Sequence, residues 1–188
     1  MTTSLVANRR LLVLACSAMK RRDADYMPAR LRYDGPLWRT LRSVDPDGTR
    51  ANVAFLSAHY GFRDAETPIA YYDARLTPDL AERMIAGGMI TRWPRPRRRN
   101  GPDNAGMHPG TEIASMARYG RAPFDDVALV GGGLYLDVMS AMLTGFQRMG
   151  CVVDDASVTT INGPIGRMRQ DLRRWLLMTG DRRRDAPC

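Results

Sequence analysis

The chain of 188 residues carries 28 basic against 20 acidic side chains, a net charge of +8 and a pI near 10.0. That length supports one hydrophobic core, and the charge favours a polyanionic partner, nucleic acid first and an anionic membrane surface second. Cys16, Cys151 and Cys188 are too few and too scattered for a disulfide framework or zinc finger, and no apolar run approaches the ~20 residues of a membrane span, so a reducing cytoplasm is the expected compartment.

In chain order, RLLVLACS (Arg10 to Ser17) is a continuous apolar run ending in small polar residues, the pattern of a buried central strand that delivers a loop at its carboxyl end. The flanking arginines and Cys16 also suggest an export signal, but Leu11 to Ala15 is shorter than the roughly 7–15 residues of a secretory core. Pro36 to Val44 reads as a helix with Leu37, Trp38 and Leu41 on one stripe. A second strand spans Asn52 to Ser57, with Ala58 to Phe62 as its loop. Thr77 caps a helix over Pro78 to Ala86.

Residues 92–110, rich in proline, glycine and arginine, read as an inserted basic surface loop. A helix follows over Thr111 to Tyr119. Asp126 to Val130 is a third strand, and Gly131 to Gly133 open a helix reaching about Met149. A weaker fourth strand lies at Cys151 to Val153 or at Ser157 to Ile161. The final helix, Gly166 to Met178, places Met168, Leu172, Trp175 and Leu176 on one face, and residues 180–188 read as a flexible tail. Strands alternating with helices predict a single α/β domain with a mostly parallel central sheet flanked by helices. Ligands of such sheets bind at the carboxyl ends of strands.

Three strand-end loops therefore hold the candidate chemistry. Lys20 is the single lysine among 28 basic residues. An arginine stays protonated, whereas a lysine amine can act as base, acid or Schiff-base nucleophile; survival of one surface lysine is the plain alternative. Cys16 is either a nucleophile or a small packed residue, and Ser17 offers a hydroxyl to a substrate. His59, beside Tyr60 and Gly61, follows the second strand. Asp64, Glu66 and Asp73 supply carboxylates next to Tyr71 and Tyr72. VGGGLY allows close backbone approach at a helix start but lacks any nucleotide-binding fingerprint. Arg92, Arg95, Arg97, Arg98 and Arg99 around Trp93 join phosphate-binding cations to an aromatic able to stack on or wedge between bases; a solvated basic loop is the alternative. No metal and no cofactor is expected.

Cys16-Ser17-x-x-Lys20, then LSAHYGFRDAETPIAYYD, then VGGGLY, resemble a family of small bacterial and phage domains related to the YaaA group and to the Cys-x-x-x-Lys core of archaeosine synthase. Within that group the sequence is similar to prokaryotic anti-phage DNA glycosylases, which excise glucosylated hydroxymethylcytosine and leave abasic sites. The resemblance implies a uracil-DNA-glycosylase-like or Rossmann-like three-layer fold. It implies a site lined by Cys16, Ser17, Lys20, Ser57, His59, Tyr60, Gly61, Asp64, Tyr72 and Asp73, and completed by Gly132, Gly133 and Tyr135. The expected partner is phage DNA carrying modified cytosine, with Asp73, Asp64, Lys20 and His59 as the catalytic candidates. Arginines replace the Pro-Tyr continuation of archaeosine synthase after Lys20. A base-modifying transferase and a non-enzymatic DNA-binding stress protein remain as alternatives.

Overall fold

The computed structural model describes residues 9–23, 25–93 and 108–178. At its centre lies strand β1 (Arg10–Ala15), in which Leu11 to Leu14 are all buried. Side chains alternate across a strand, so Leu11 and Val13 enter one core while Leu12 and Leu14 enter another on the opposite face. A strand buried on both faces reads as a continuous apolar run for this reason.

β1 pairs in parallel with β3 (Asn52–Ser57) on one side and with β6 (Phe124–Val130) on the other, and β7 (Val152–Ile161) pairs in parallel with β6. β4 (Gly61–Asp64) closes the other edge antiparallel to β3, giving the order β4-β3-β1-β6-β7. A separate two-stranded antiparallel ribbon joins β2 (Tyr26–Pro28) to β5 (Pro68–Ala70). The two segments expected as alternatives for the fourth strand are the two ends of β7. The expected loop after β3 is a tight turn instead, and the chain doubles straight back into β4.

Helices cover both faces. On one side α1 (Ala29–Arg32), α2 (Pro36–Val44) and α6 (Ile165–Leu177) bury Trp38, Leu41, Leu172 and Trp175 against Leu12, Leu14, Phe55 and Val130. On the other side α3 (Pro78–Gly87), α4 (Pro109–Met116) and α5 (Gly133–Arg148) bury Met84, Ile113, Met139 and Phe146 against Leu11, Val13, Leu56 and Leu129. Each fully buried side chain of this size contributes roughly 1.5–3 kcal/mol. The Thr77 hydroxyl accepts from the Leu80 N–H at 3.3 Å and caps α3 as the sequence predicts.

Polar ties fix the layers. At the amino end of the sheet Arg10 lies over the Trp175 ring at 3.8 Å and donates to Asp126 at 2.8 Å, while the Trp175 indole N–H donates to the same carboxylate at 3.1 Å. Fully buried Arg32 donates to the carbonyls of Arg21 (2.7 Å), Asp25 (3.0 Å) and Ile69 (3.1 Å). A buried guanidinium is tolerable only when its donors are satisfied. Here it tethers the Lys20 loop to the β2–β5 ribbon. Among the described residues, no helix is long and apolar enough to cross a membrane.

Candidate active site

The sheet grows in opposite directions from β1: β3 lies to one side, while β6 and then β7 lie to the other. Such a reversal leaves a crevice beyond the carboxyl ends of the two strands that flank it. Cys16 follows β1 at this point, and Gly131 to Gly133 follow β6 and begin α5. The Cys16 Sγ lies 3.1 Å from the hydroxyl of Tyr135, in the first turn of α5. Gly131 makes that approach possible, because a Cβ there would sit 3.0 Å from the Ala15 Cβ and 3.2 Å from the Tyr135 Cβ. Gly132 and Gly133 are exposed and face open space.

Beside Cys16 stands a group of aromatic rings. The hydroxyls of buried Tyr33 and Tyr72 are 2.6 Å apart. His59 stacks on Tyr72 with centroids 5.0 Å apart and planes 17° from parallel, and Tyr60 meets both rings edge-on. The Lys20 ammonium sits 4.3 Å from the centre of the Tyr72 ring, a cation–π contact. A single bridge between Lys20 and Tyr33 fixes the lysine backbone there. Lys20, His59, Tyr60 and Tyr72, assigned from sequence, are thus brought together with Cys16 and Tyr135.

Burial, followed by the proximity of Cys16, pushes the phenols of Tyr72 and Tyr135 far above the ordinary tyrosine range. Tyr33 is raised by its burial as well. A neutral phenol can donate a hydrogen bond as well as accept one, so these groups are suited to holding a carbonyl, ring nitrogen or hydroxyl of a bound ligand. The Leu76 backbone also bonds the Tyr135 hydroxyl, so the segment from Tyr72 to Leu76 passes along the cluster. Asp73 lies in that segment, exposed to solvent.

Other assigned residues hold the turns around this cluster. Fully buried Ser57 accepts from the His59 N–H at 3.0 Å and the Tyr60 N–H at 2.9 Å, forming the turn that presents both rings. Ser17 accepts from the Met19 N–H at 3.1 Å, and its hydroxyl rests against Gly35, where a Cβ would come within 2.2 Å. Gly61 has φ +67°, which admits glycine most readily, and packs under Trp93, whose Cβ is 2.8 Å from where a Gly61 Cβ would stand.

Two sequence expectations are corrected. Asp64 was expected at the site, but β4 runs antiparallel and pairs Asp64 with Ala54, not with the carboxyl end of β3. At about 3.4 Å per residue, Asp64 lies roughly 10 Å along the sheet from Gly61, near the amino ends of the parallel strands. There its N–H donates to Glu112 at 2.8 Å, and it borders a separate cavity with Arg30, Asp47 and Glu66. Trp93 was expected as an exposed base-wedging aromatic, but it is 8% exposed and belongs to the core beneath α3. Arg92 is exposed. Arg95, Arg97, Arg98 and Arg99 lie outside the described residues.

The sequence reading did not single out Tyr33 or Gly35, and it noted Trp38 only as part of a helical stripe and Gly131 only as part of a helix start. The stretch Tyr33-Asp34-Gly35-Pro36, a turn feeding a helix, was the available signal for the first two. Trp38 ties α2 to the site by donating its indole N–H to the Ala15 carbonyl at 3.0 Å. Among the described residues, no three metal-ligating side chains cluster. No family model, no curated protein and no solved structure matches this chain.

Proposed function

We propose that the protein is a DNA glycosylase that removes a bulky modified base from phage DNA, glucosylated hydroxymethylcytosine being the expected substrate, and acts in anti-phage defence from the cytoplasm. The observation that supports this reading best is the convergence of Lys20, His59, Tyr72, Cys16 and Tyr135 at the sheet's reversal point, with Asp73 on the adjoining segment. The surplus of arginine suits a phosphate partner.

The target base leaves the helical stack, which takes a few kcal/mol, and enters among the tyrosine and histidine rings. As the N-glycosidic bond breaks, its electron pair goes to the departing base, which takes a proton or hydrogen bond from His59, Lys20 or a neutral phenol. The sugar becomes oxocarbenium-like and favours a nearby carboxylate. Asp73 stabilises that cation and accepts the proton of the water whose oxygen bonds to the sugar carbon. A Lys20 attack would instead link the sugar to the protein as an imine that borohydride reduces.

A second reading, a base-modifying transferase, is favoured by the Cys16 thiol, which lies beside the Tyr135 hydroxyl and to which the hydrolytic steps give no role. The deciding experiment incubates the protein with DNA carrying cytosine, hydroxymethylcytosine or its glucosylated form, then measures released base by mass spectrometry and strand scission after alkali. Free modified base and alkali-labile sites on glucosylated DNA support the glycosylase. DNA of increased mass supports the transferase. Bound but unchanged DNA leaves a binding protein.

A further inference from the structure

The α2 and α6 helices lie side by side on one face of the sheet. Both start beside strand carboxyl ends: α2 begins one residue after Gly35, against which rests the hydroxyl of Ser17, two residues beyond β1, and α6 begins shortly after β7. Both helix starts therefore lie at the end of the sheet that holds the candidate site. Between them runs a groove of about 580 Å³, lined by Arg39, Thr40, Ser43 and Gly166 with Arg169, Gln170 and Arg173.

The charges along this groove are not balanced. Asp34 pairs with Arg39 and Arg42, each at 2.7 Å, and Asp171 pairs with Arg167 and Arg174. Among the described residues, neither Arg169 nor Arg173 has an ion-pair partner. Arg169 donates through Nε to the Thr40 hydroxyl at 3.1 Å, which holds its guanidinium at the groove. One helical turn, about 6 Å, separates Arg169 from Arg173. Paired guanidinium groups in such a row suit phosphate oxygens, which they bind bidentately.

We propose that the α2–α6 groove binds the DNA phosphate backbone and carries the strand away from the strand-end site. The occupant is chosen by charge complementarity: a groove lined by Arg39, Arg169 and Arg173, with no large apolar side chain among its lining residues, suits a polyphosphate chain rather than the acyl layer of a lipid bilayer. The inference rests on the reading of DNA as the partner but needs no base excision.

The test compares the full-length wild type with the Arg169→Gln/Arg173→Gln double variant, using a fluorescein-labelled duplex of unmodified DNA at several salt concentrations. Loss of two phosphate contacts reduces the slope of log affinity against log salt by about two and weakens binding on the order of tenfold near 0.1 M salt. Arg83→Gln, on the opposite layer, leaves both quantities unchanged, and circular dichroism checks that all variants fold. An unaltered slope in the double variant overturns the proposal, as does failure of the wild type to bind the duplex. Sedimentation of wild type, but not the double variant, with anionic phospholipid vesicles in place of DNA binding also overturns it. Base release from glucosylated DNA is read on the same samples. Absent release with a groove-dependent slope removes the glycosylase reading and retains the groove.

Discussion

Cys16, just beyond β1, and Tyr135, in the first turn of the helix that follows β6, meet at 3.1 Å at the sheet's reversal point. Tyr135→Phe removes the hydroxyl and keeps the ring. One hydrogen bond contributes about 0.5–1.5 kcal/mol, so thermal denaturation should show a modest loss of stability. Release of modified base should fall by tenfold or more, since a neutral donor at the crevice is gone. Wild-type release by this variant would remove Tyr135 from the site.

Lys20 answers to a substitution that keeps its charge. Lys20→Arg retains a cation able to lie over Tyr72 but lacks an amine that can deprotonate or form an imine. DNA affinity should stay within about twofold of wild type, while base release falls by on the order of a hundredfold. Borohydride trapping on wild type separates the two roles of the amine: a covalent protein–DNA adduct means nucleophilic attack, and its absence means proton transfer.

The two aspartates of FRDAETPIAYYD should behave differently. Asp73→Asn is expected to abolish release with little effect on stability, as the residue is exposed. Asp64→Asn should leave release intact but change the pH dependence of folding. Burial, then nearby Glu112, raises the Asp64 carboxyl above its ordinary value. The folded protein therefore holds that proton to higher pH than the unfolded chain does, and stability declines as pH rises through the folded value. Asp64→Asn should raise the melting temperature at pH 7, and the gain should vanish as pH falls below the ordinary carboxylate range. Melting curves between pH 3 and 8, an interval of about five units around the relevant window, test the sign.

Arg32→Met tests the tether behind Lys20. It leaves the carbonyls of Arg21, Asp25 and Ile69 without their donor. A loss of about 2–4 kcal/mol is expected, with faster tryptic cleavage after Lys20, Arg21 or Arg22 in the folded protein. Denaturant melts and limited proteolysis measure the two effects. Cleavage at the wild-type rate would mean that the Lys20 loop is held by other contacts.

The buried strands were legible because their signal is local. Arg10–Ala15 and Asn52–Ser57 are short apolar runs, and Pro36–Val44 shows its stripe in nine residues. β4 was not, since Gly61–Asp64 is a four-residue edge strand with charged residues in half its length. Missing it reversed the direction of the chain and misplaced Asp64. Trp93 was misread because it stands next to arginines, whereas its burial depends on Gly61, a partner visible only after folding. Cys16, Lys20 and His59 could be placed at strand ends from the α/β pattern, whereas Tyr72 and Tyr135 entered only through the family resemblance. Tyr33 could not be placed, as its position beside Tyr72 is set by the bridge to Lys20.

The central position of β1 has a consequence for the order of synthesis. It is made first, yet its partner β6 comes much later: Arg10 and Asp126, which pair across the two strands, are 116 residues apart. At usual elongation rates that interval lasts on the order of ten seconds. Until β6 emerges, one edge of an apolar strand has no partner, and Cys16 has no Tyr135 opposite it. Sheet closure and the meeting of Cys16 with Tyr135 thus fall in the same late step, and a ribosome-bound chain halted before Phe124 has neither.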